Sequence, residues 1–174
     1  MRTKAILTIV PLLMVCLLIA PFISLAGQFK VTRVYDGDTI MAEGHDITIY
    51  VLLAGIDAPE IDPQRHQQQP YGQEAKRYLE TTVLNKTVEI KGYGIGAYPY
   101  NHLVGEIYVS GQNINIEMVK QGFAEVFHEM QPDGLHIAPY LEAEKKAKDA
   151  QKGIWSLGDR YISPQEWRKA YKKK

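Results

Sequence analysis

The sequence predicts an α+β fold: a small closed β-barrel of the OB type with helices packed on it. Three observations carry this. The elements run in the order three strands, a helix, then further strands. The third strand places apolar residues on both faces, as a strand of a small closed barrel does. Two later stretches carry apolar residues at helical spacing, which supplies helices to cover the barrel.

Taken in order, residues 29–35 (FKVTRVY) alternate as a half-buried strand. Asp36-Gly37-Asp38 follows, and Asp-Gly marks a tight turn. Residues 39–42 resume as a second strand and residues 46–54 form the third. Residues 57–70, rich in Pro, Gln and Asp, predict a loop. Residues 71–84 predict a helix with Ala75, Tyr78, Leu79 and Val83 on one stripe. A strand at 87–91 leads into a loop at 92–99, which holds three glycines and a proline. Residues 103–109 form another strand, turned back by Ser110-Gly111-Gln112. Asn115 is placed to cap a second helix that stops at Gly122. Residues 127–136 read as irregular. Pro139 opens a third helix, in which Tyr140, Ala143, Ala147, Ala150 and Ile154 recur every three or four residues. Lys145, Lys146 and Lys148 form its solvated face, and Tyr78, Tyr108, Phe123 and Trp155 read as core.

The N-terminus differs in kind from the rest. Arg2 and Lys4 precede a charge-free, mostly apolar run from residue 5 to 28, with Ser24-Leu25-Ala26 as a small-x-small site. This is the pattern of a secretory signal peptide cleaved near Ala26. The run is also long enough for an uncleaved membrane anchor through residues 5–26. Either reading places residues 27–174, a single domain, outside the cytoplasm: secreted or periplasmic after cleavage, tethered otherwise. Cys16, the only cysteine, lies inside that run, so the domain has no disulfide.

Charge excludes one class of function. The chain carries 20 basic and 20 acidic residues. Residues 27–167 hold 13 basic against 20 acidic side chains, and the last seven residues hold five basic ones. A domain that grips nucleic acid by backbone neutralisation alone is basic on at least one face. The tail, from Arg168 onward, reads as a solvated and frayed end.

The carboxylates are the chemically suggestive residues. Asp38 follows the tight turn, Asp57 ends the third strand, and Glu60 comes three residues later across Pro59. If strands two and three pair, these groups converge at one rim. Clustered carboxylates repel unless they share a cation or a proton. Hard oxygens without His or Cys favour Ca²⁺ or Mg²⁺ over zinc. Glu60 would then serve as a base or orient a water. The plain alternative is structural: Asp36 and Asp38 form turns, Asp57 caps a loop and Glu60 is solvated.

Seven stretches together resemble the staphylococcal nuclease, or thermonuclease, family: VYDGDTI (34–40), LLAGIDAPE (52–60), QPYGQEAKRYL (69–79), NKTVEI (85–90), INIEMVKQGFAEV (114–126), EAEKKAKDAQKGIWS (142–156) and SPQEWRK (163–169). The resemblance runs from about residue 28 to 171. It implies a five-stranded OB barrel with about three packed helices, and Ca²⁺-dependent hydrolysis of DNA and RNA phosphodiesters. It implies that Asp38 and Asp57 ligate the metal with the carbonyl of Ala58, and that Glu60 stands beside the attacking water.

The chain departs from the family pattern where arginines are normal. Leu52 replaces the arginine five residues before Asp57, and His102 the one that closes a Tyr-Gly-Arg stretch. His128 and Met130 stand where tyrosines often contact a terminal phosphate. By period two, Leu52 shares a face with Thr48 and Tyr50. Arginine offers phosphate a planar fork that leucine lacks. No other arginine is placed by the sequence to take over: Arg33 reads as solvated, and Arg65 and His66 lie in the loop after Glu60.

The expectation is therefore a divergent endonuclease using Ca²⁺, or Mg²⁺ or Mn²⁺, with DNA or RNA as substrate, working as a monomer, its activity reduced by the two losses. The alternative is a non-catalytic nucleic-acid-binding or protein-interaction module on the same fold. A third reading keeps the metal for stability alone.

Overall fold

The computed structural model describes residues 27–62, 67–96 and 101–171 of the 174-residue chain. Residues 1–26, read above as a signal peptide or anchor, Arg65 and His66, and residues 172–174 lie outside the described residues. The elements are β1 (Gly27–Val34), β2 (Thr39–Gly44), β3 (Ile47–Leu53), β4 (Ile56–Asp57), β5 (Ile61–Asp62) and β6 (Gln67–Gln68), then α1 (Gly72–Val83), β7 (Thr87–Ile95), β8 (Leu103–Val109) and β9 (Gln112–Asn113). There follow α2 (Ile114–Lys120), β10 (Glu125–Val126), α3 (Ala138–Asp149), a 3₁₀ segment (Gly153–Arg160) and α4 (Pro164–Tyr171).

The main sheet runs β3-β2-β1-β7-β8, with β9 as a short return. Parallel pairing of β3 with β8, from Val51–Leu103 to Leu53–Gly105, closes those five strands into a barrel. This is the expected five-stranded OB barrel. Closure removes the exposed edges that an open sheet of this size would leave. Val31, Val34, Ile40, Ala42, Val51, Leu53, Val88, Ile90 and Ile107 fill its interior, and Ala75, Leu79 and Val83 of α1 pack into the same core. Thr48, Tyr50 and Leu52 are exposed on β3 while Val51 and Leu53 are buried, as alternation requires. Tyr78 packs on Phe123 with ring centroids 5.0 Å apart.

The boundaries shift in ways that have physical causes. β7 runs on to Ile95, through residues expected to be loop, because Gly92 and Gly94 open a bulge opposite Gly105 and Val104. The cap of α2 is Asn113, whose side chain accepts from the N–H of Ile116 at 3.1 Å. Asn115, expected as the cap, is fully buried instead. Its Nδ2 donates to the carbonyls of Ala54 (2.9 Å) and Gly105 (3.0 Å), and its Oδ1 accepts from the N–H of Ile107 at 3.0 Å. It thus satisfies backbone groups where β3 leaves the barrel beside β8. The third helix ends at Asp149, short of Ile154. Gly153 takes φ +53°, and a Cβ there would lie 2.1 Å from the carbonyl oxygen of Gly122, so only glycine lets this turn pack.

The largest correction is the tail. Residues 164–171 form a helix, and Arg168 within it is half-buried rather than solvated. Ser163 and Glu166 make a capping box: the Ser163 N–H and hydroxyl donate to Glu166 Oε2, and the Glu166 N–H donates to Ser163 Oγ. Among the described residues, no helix is long and apolar enough to cross a membrane.

Replacing Asn115 with alanine leaves two carbonyls and one N–H unpaired in the core. The expected loss is about 3 kcal/mol of unfolding free energy, read from urea denaturation.

Candidate active site at the barrel rim

The turn after β1 is built by Asp36, whose Oδ1 accepts the N–H groups of Asp38 (3.1 Å) and Thr39 (2.8 Å). That side chain is the turn former expected of it. Asp38 is more than a turn residue. Its Oδ2 accepts the N–H of Ala58 at 2.9 Å, and its Oδ1 accepts the Thr39 hydroxyl at 3.0 Å. The β1–β2 turn is thereby fastened to the strand that carries Asp57. Gly37 permits the approach, because a Cβ there would meet those of Ala58 (2.6 Å) and Ala75 (2.8 Å).

Residues 53–59 are buried without interruption, so the run that ends β3 delivers Asp57, 5% exposed, into the protein rather than to solvent. Glu60 is fixed by the buried Gln69. The Glu60 N–H donates to Gln69 Oε1 (3.2 Å), and its carbonyl accepts the Gln69 N–H (2.9 Å). Gln69 Nε2 also donates to the carbonyl of Ile162 at 2.7 Å, which brings the approach to α4 against the same loop.

The turn, the end of the third strand and the Glu60 loop therefore bring these carboxylates to one rim. Burial pushes the Asp38 carboxyl well above the usual carboxylate range; Asp36 and Asp57 raise it further, and the Ala58 N–H opposes them. Burial also raises Glu60, against the Arg168 guanidinium that lowers it, while Asp36 and Asp57 again push upward.

The positive charge in this cluster is Arg168. Its Nη1 donates to Asp57 Oδ1 (2.8 Å) and Glu60 Oε1 (2.6 Å), and its Nη2 donates to Asp57 Oδ2 (2.7 Å). The bonds to Asp57, foremost, raise its pKa above the ordinary arginine value. This corrects the expectation that no arginine takes a place in the site. The capping-box pattern Ser163-x-x-Glu166 with Pro164 was a legible signal for the helix. Nothing local in the sequence says which helix face meets Asp57.

The donor set of Asp38, Asp57, Glu60 and the Ala58 carbonyl is chemically suited to a hard divalent cation. As arranged, however, both Asp57 oxygens are taken by a guanidinium, and among the described residues no group of three His, Cys, Asp or Glu side chains is disposed to hold a metal.

The replaced positions lie nearby. Leu52, 36% exposed, pairs with Thr39 on one side and Val104 on the other. His102 stacks on Tyr50 at 5.5 Å, and Tyr50 lies 5.9 Å from Tyr35. Burial holds His102 below its ordinary pKa, with Asp36 pulling the other way. Arg33 is exposed, with its guanidinium over the Tyr35 ring at 4.8 Å. Met130 is 80% exposed, and His128 is exposed with Nε2 3.8 Å from Glu144. Sequence reasoning also missed Glu125, which pairs with Asp57 across β10 and β4 and accepts a hydrogen bond from the Tyr161 hydroxyl.

Glu125 is pushed up to about 7 from an ordinary 4.5, by burial first, with Tyr161 opposing and Asp57 and Glu144 adding. Between those pH values the folded protein keeps a proton that the unfolded chain has lost, so this group makes stability fall as pH rises. Glu125→Gln is expected to flatten that fall, seen as a smaller drop in urea midpoint from pH 5 to pH 8.

Residues 50–157 match the model of the family described as staphylococcal nuclease homologue. The chain is 35% identical over 132 residues to a "Probable endonuclease LCL3" of Komagataella phaffii, covering 72% of this chain and 56% of that protein. It is 34% identical over 145 residues to an "Uncharacterized endonuclease" of Haemophilus influenzae, covering 82% and 74%. A protein of the same description from Escherichia coli O157:H7 is 31% identical over 140 residues, covering 80% and 83%. The match thus spans little more than half of the yeast relative. Barrel, matched segment and relatives lead to one conclusion: the chain belongs to the staphylococcal nuclease homologue family.

Proposed function

We propose that this protein is a divalent-cation-dependent endonuclease that hydrolyses phosphodiester bonds in DNA or RNA from its acidic rim. The observation that carries this is the convergence of Asp38, Asp57 and Glu60, in a family whose relatives are named endonucleases. A scaffold gains nothing from carboxylates that repel one another.

Asp38, Asp57 and the Ala58 carbonyl would hold Ca²⁺, with Mg²⁺ or Mn²⁺ as alternatives. When bound, the cation supplies charge stabilisation to the phosphoryl oxygens. Glu60 takes a proton from, or orients, the attacking water. Leu52 donates nothing to a phosphate, and burial lowers the pKa of His102, which disfavours its charged form. Loss of one such donor costs about 10²- to 10³-fold in rate. The reading is of a slow enzyme, monomeric and extracytoplasmic, secreted or tethered by residues 5–26.

The second reading is a non-catalytic binding module on the same barrel. It is favoured by one observation, the Arg168 guanidinium on Asp57 and Glu60.

Digestion of plasmid and RNA with Ca²⁺, Mg²⁺ and Mn²⁺ separates the two. Cleavage that Asp57→Asn abolishes supports the enzyme; none under any metal supports the module. Leu52→Arg with His102→Arg is expected to raise cleavage by about 10²-fold or more. A fast wild type that the double variant leaves unchanged overturns the account of the two losses.

A further inference from the structure

We propose that Arg168 is a built-in counter-ion that competes with the divalent cation for Asp57, so that cation loading and docking of α4 oppose each other. This rests on the reading of Asp57 as a cation ligand.

The competition follows from which atoms are occupied. Arg168 takes both oxygens of Asp57, at 2.8 and 2.7 Å, and one oxygen of Glu60 at 2.6 Å. A hard cation ligated by Asp57 must come within about 2.3–2.6 Å of one of those oxygens. It would then face a full positive charge across a single carboxylate, in a site where Asp57 is 5% exposed and solvent screens little. Each Asp57 oxygen keeps a second lone pair, so the two cations oppose each other through their charge rather than by filling every acceptor site.

The helix is attached so that it can leave. Its approach is pinned: Gln69 holds the Ile162 carbonyl, and the Tyr161 hydroxyl is on Glu125. Beyond Pro164, which is buried, the bond from Gln165 to Glu129 and the Arg168 fork hold α4 to the rest of the protein. The capping box belongs to α4 itself and moves with it. Arg168 is 26% exposed, so the fork lies near enough to solvent to open without disturbing the barrel.

By linkage, whatever the guanidinium takes from cation affinity, the cation takes from helix docking, by the same factor. The site would then load only where divalent cations are abundant. Weak, millimolar-range affinity suits a protein that acts outside the cytoplasm.

The test is calorimetric titration of Ca²⁺ into the full chain, its Arg168→Gln and Arg168→Lys variants, and Asp57→Asn. The expected result is affinity raised about 10-fold or more in Arg168→Gln, within the 5- to 150-fold usual for coupled sites, less in Arg168→Lys, and lost in Asp57→Asn. Amide hydrogen exchange of residues 164–171 in the wild type is expected to speed up as Ca²⁺ is added, which needs no variant to fold. Unchanged or weaker affinity in Arg168→Gln, or unchanged exchange in α4 at saturation, overturns the competition while the cation reading stands on Asp57→Asn. Binding that survives Asp57→Asn, or no binding by any form, overturns both.

Discussion

Carboxylates crowded into one half-buried rim cannot all ionise without a positive charge among them. That constraint organises the rest of the site. Burial foremost, and the neighbouring Asp36 and Asp57 carboxylates in addition, raise the Asp38 and Glu60 carboxyls. The Arg168 guanidinium relieves the repulsion at Asp57 and Glu60, using the planar fork that matches a carboxylate. Asp38 has backbone and hydroxyl donors instead, which stabilise its charge less than an ion would.

The barrel supplies what such a rim needs, which is rigidity close to the charges. β3 closes on β8, and Asn115 finishes the closure by bonding the backbone of Ala54, just past β3, and of Gly105 and Ile107 within β8. The chain then has no freedom left before Asp57. Asp38 ties the first turn to Ala58, and Gln69 ties Glu60 to the approach of α4. Groups held this way can neither reach solvent nor move apart, so burial first, and repulsion after it, raises the Asp38 and Glu60 carboxyls.

Membership of a nuclease family and loss of its arginine positions are compatible physically. The outward face of β3 carries apolar and aromatic side chains. Leu52 is exposed beside Tyr50, which stacks between Tyr35 and His102. Stacked rings of this kind stabilise adjacent strands through cross-strand packing. A guanidinium is present, but it arrives from the other end of the chain and is bonded to carboxylates.

Much of the fold was legible in the sequence because its causes are local. Alternation marked β1, β2 and β3, the Asp-Gly turn marked their first connection, and helical stripes marked α1 and α3. Side-chain spacing also placed Asp38, Asp57 and Glu60 at strand ends, where a closed barrel brings them together. What only the tertiary structure decided depends on contacts between residues far apart in the chain. Asn115 looked like a cap and is a core bracket, because its partners lie up to 61 positions away. Arg168 looked like part of a solvated tail, because Asp57, 111 positions earlier, gives no local sign of needing it. Local patterns determine which segments form strands and helices; which charge neutralises which is settled only when the folded chain brings them within hydrogen-bonding distance.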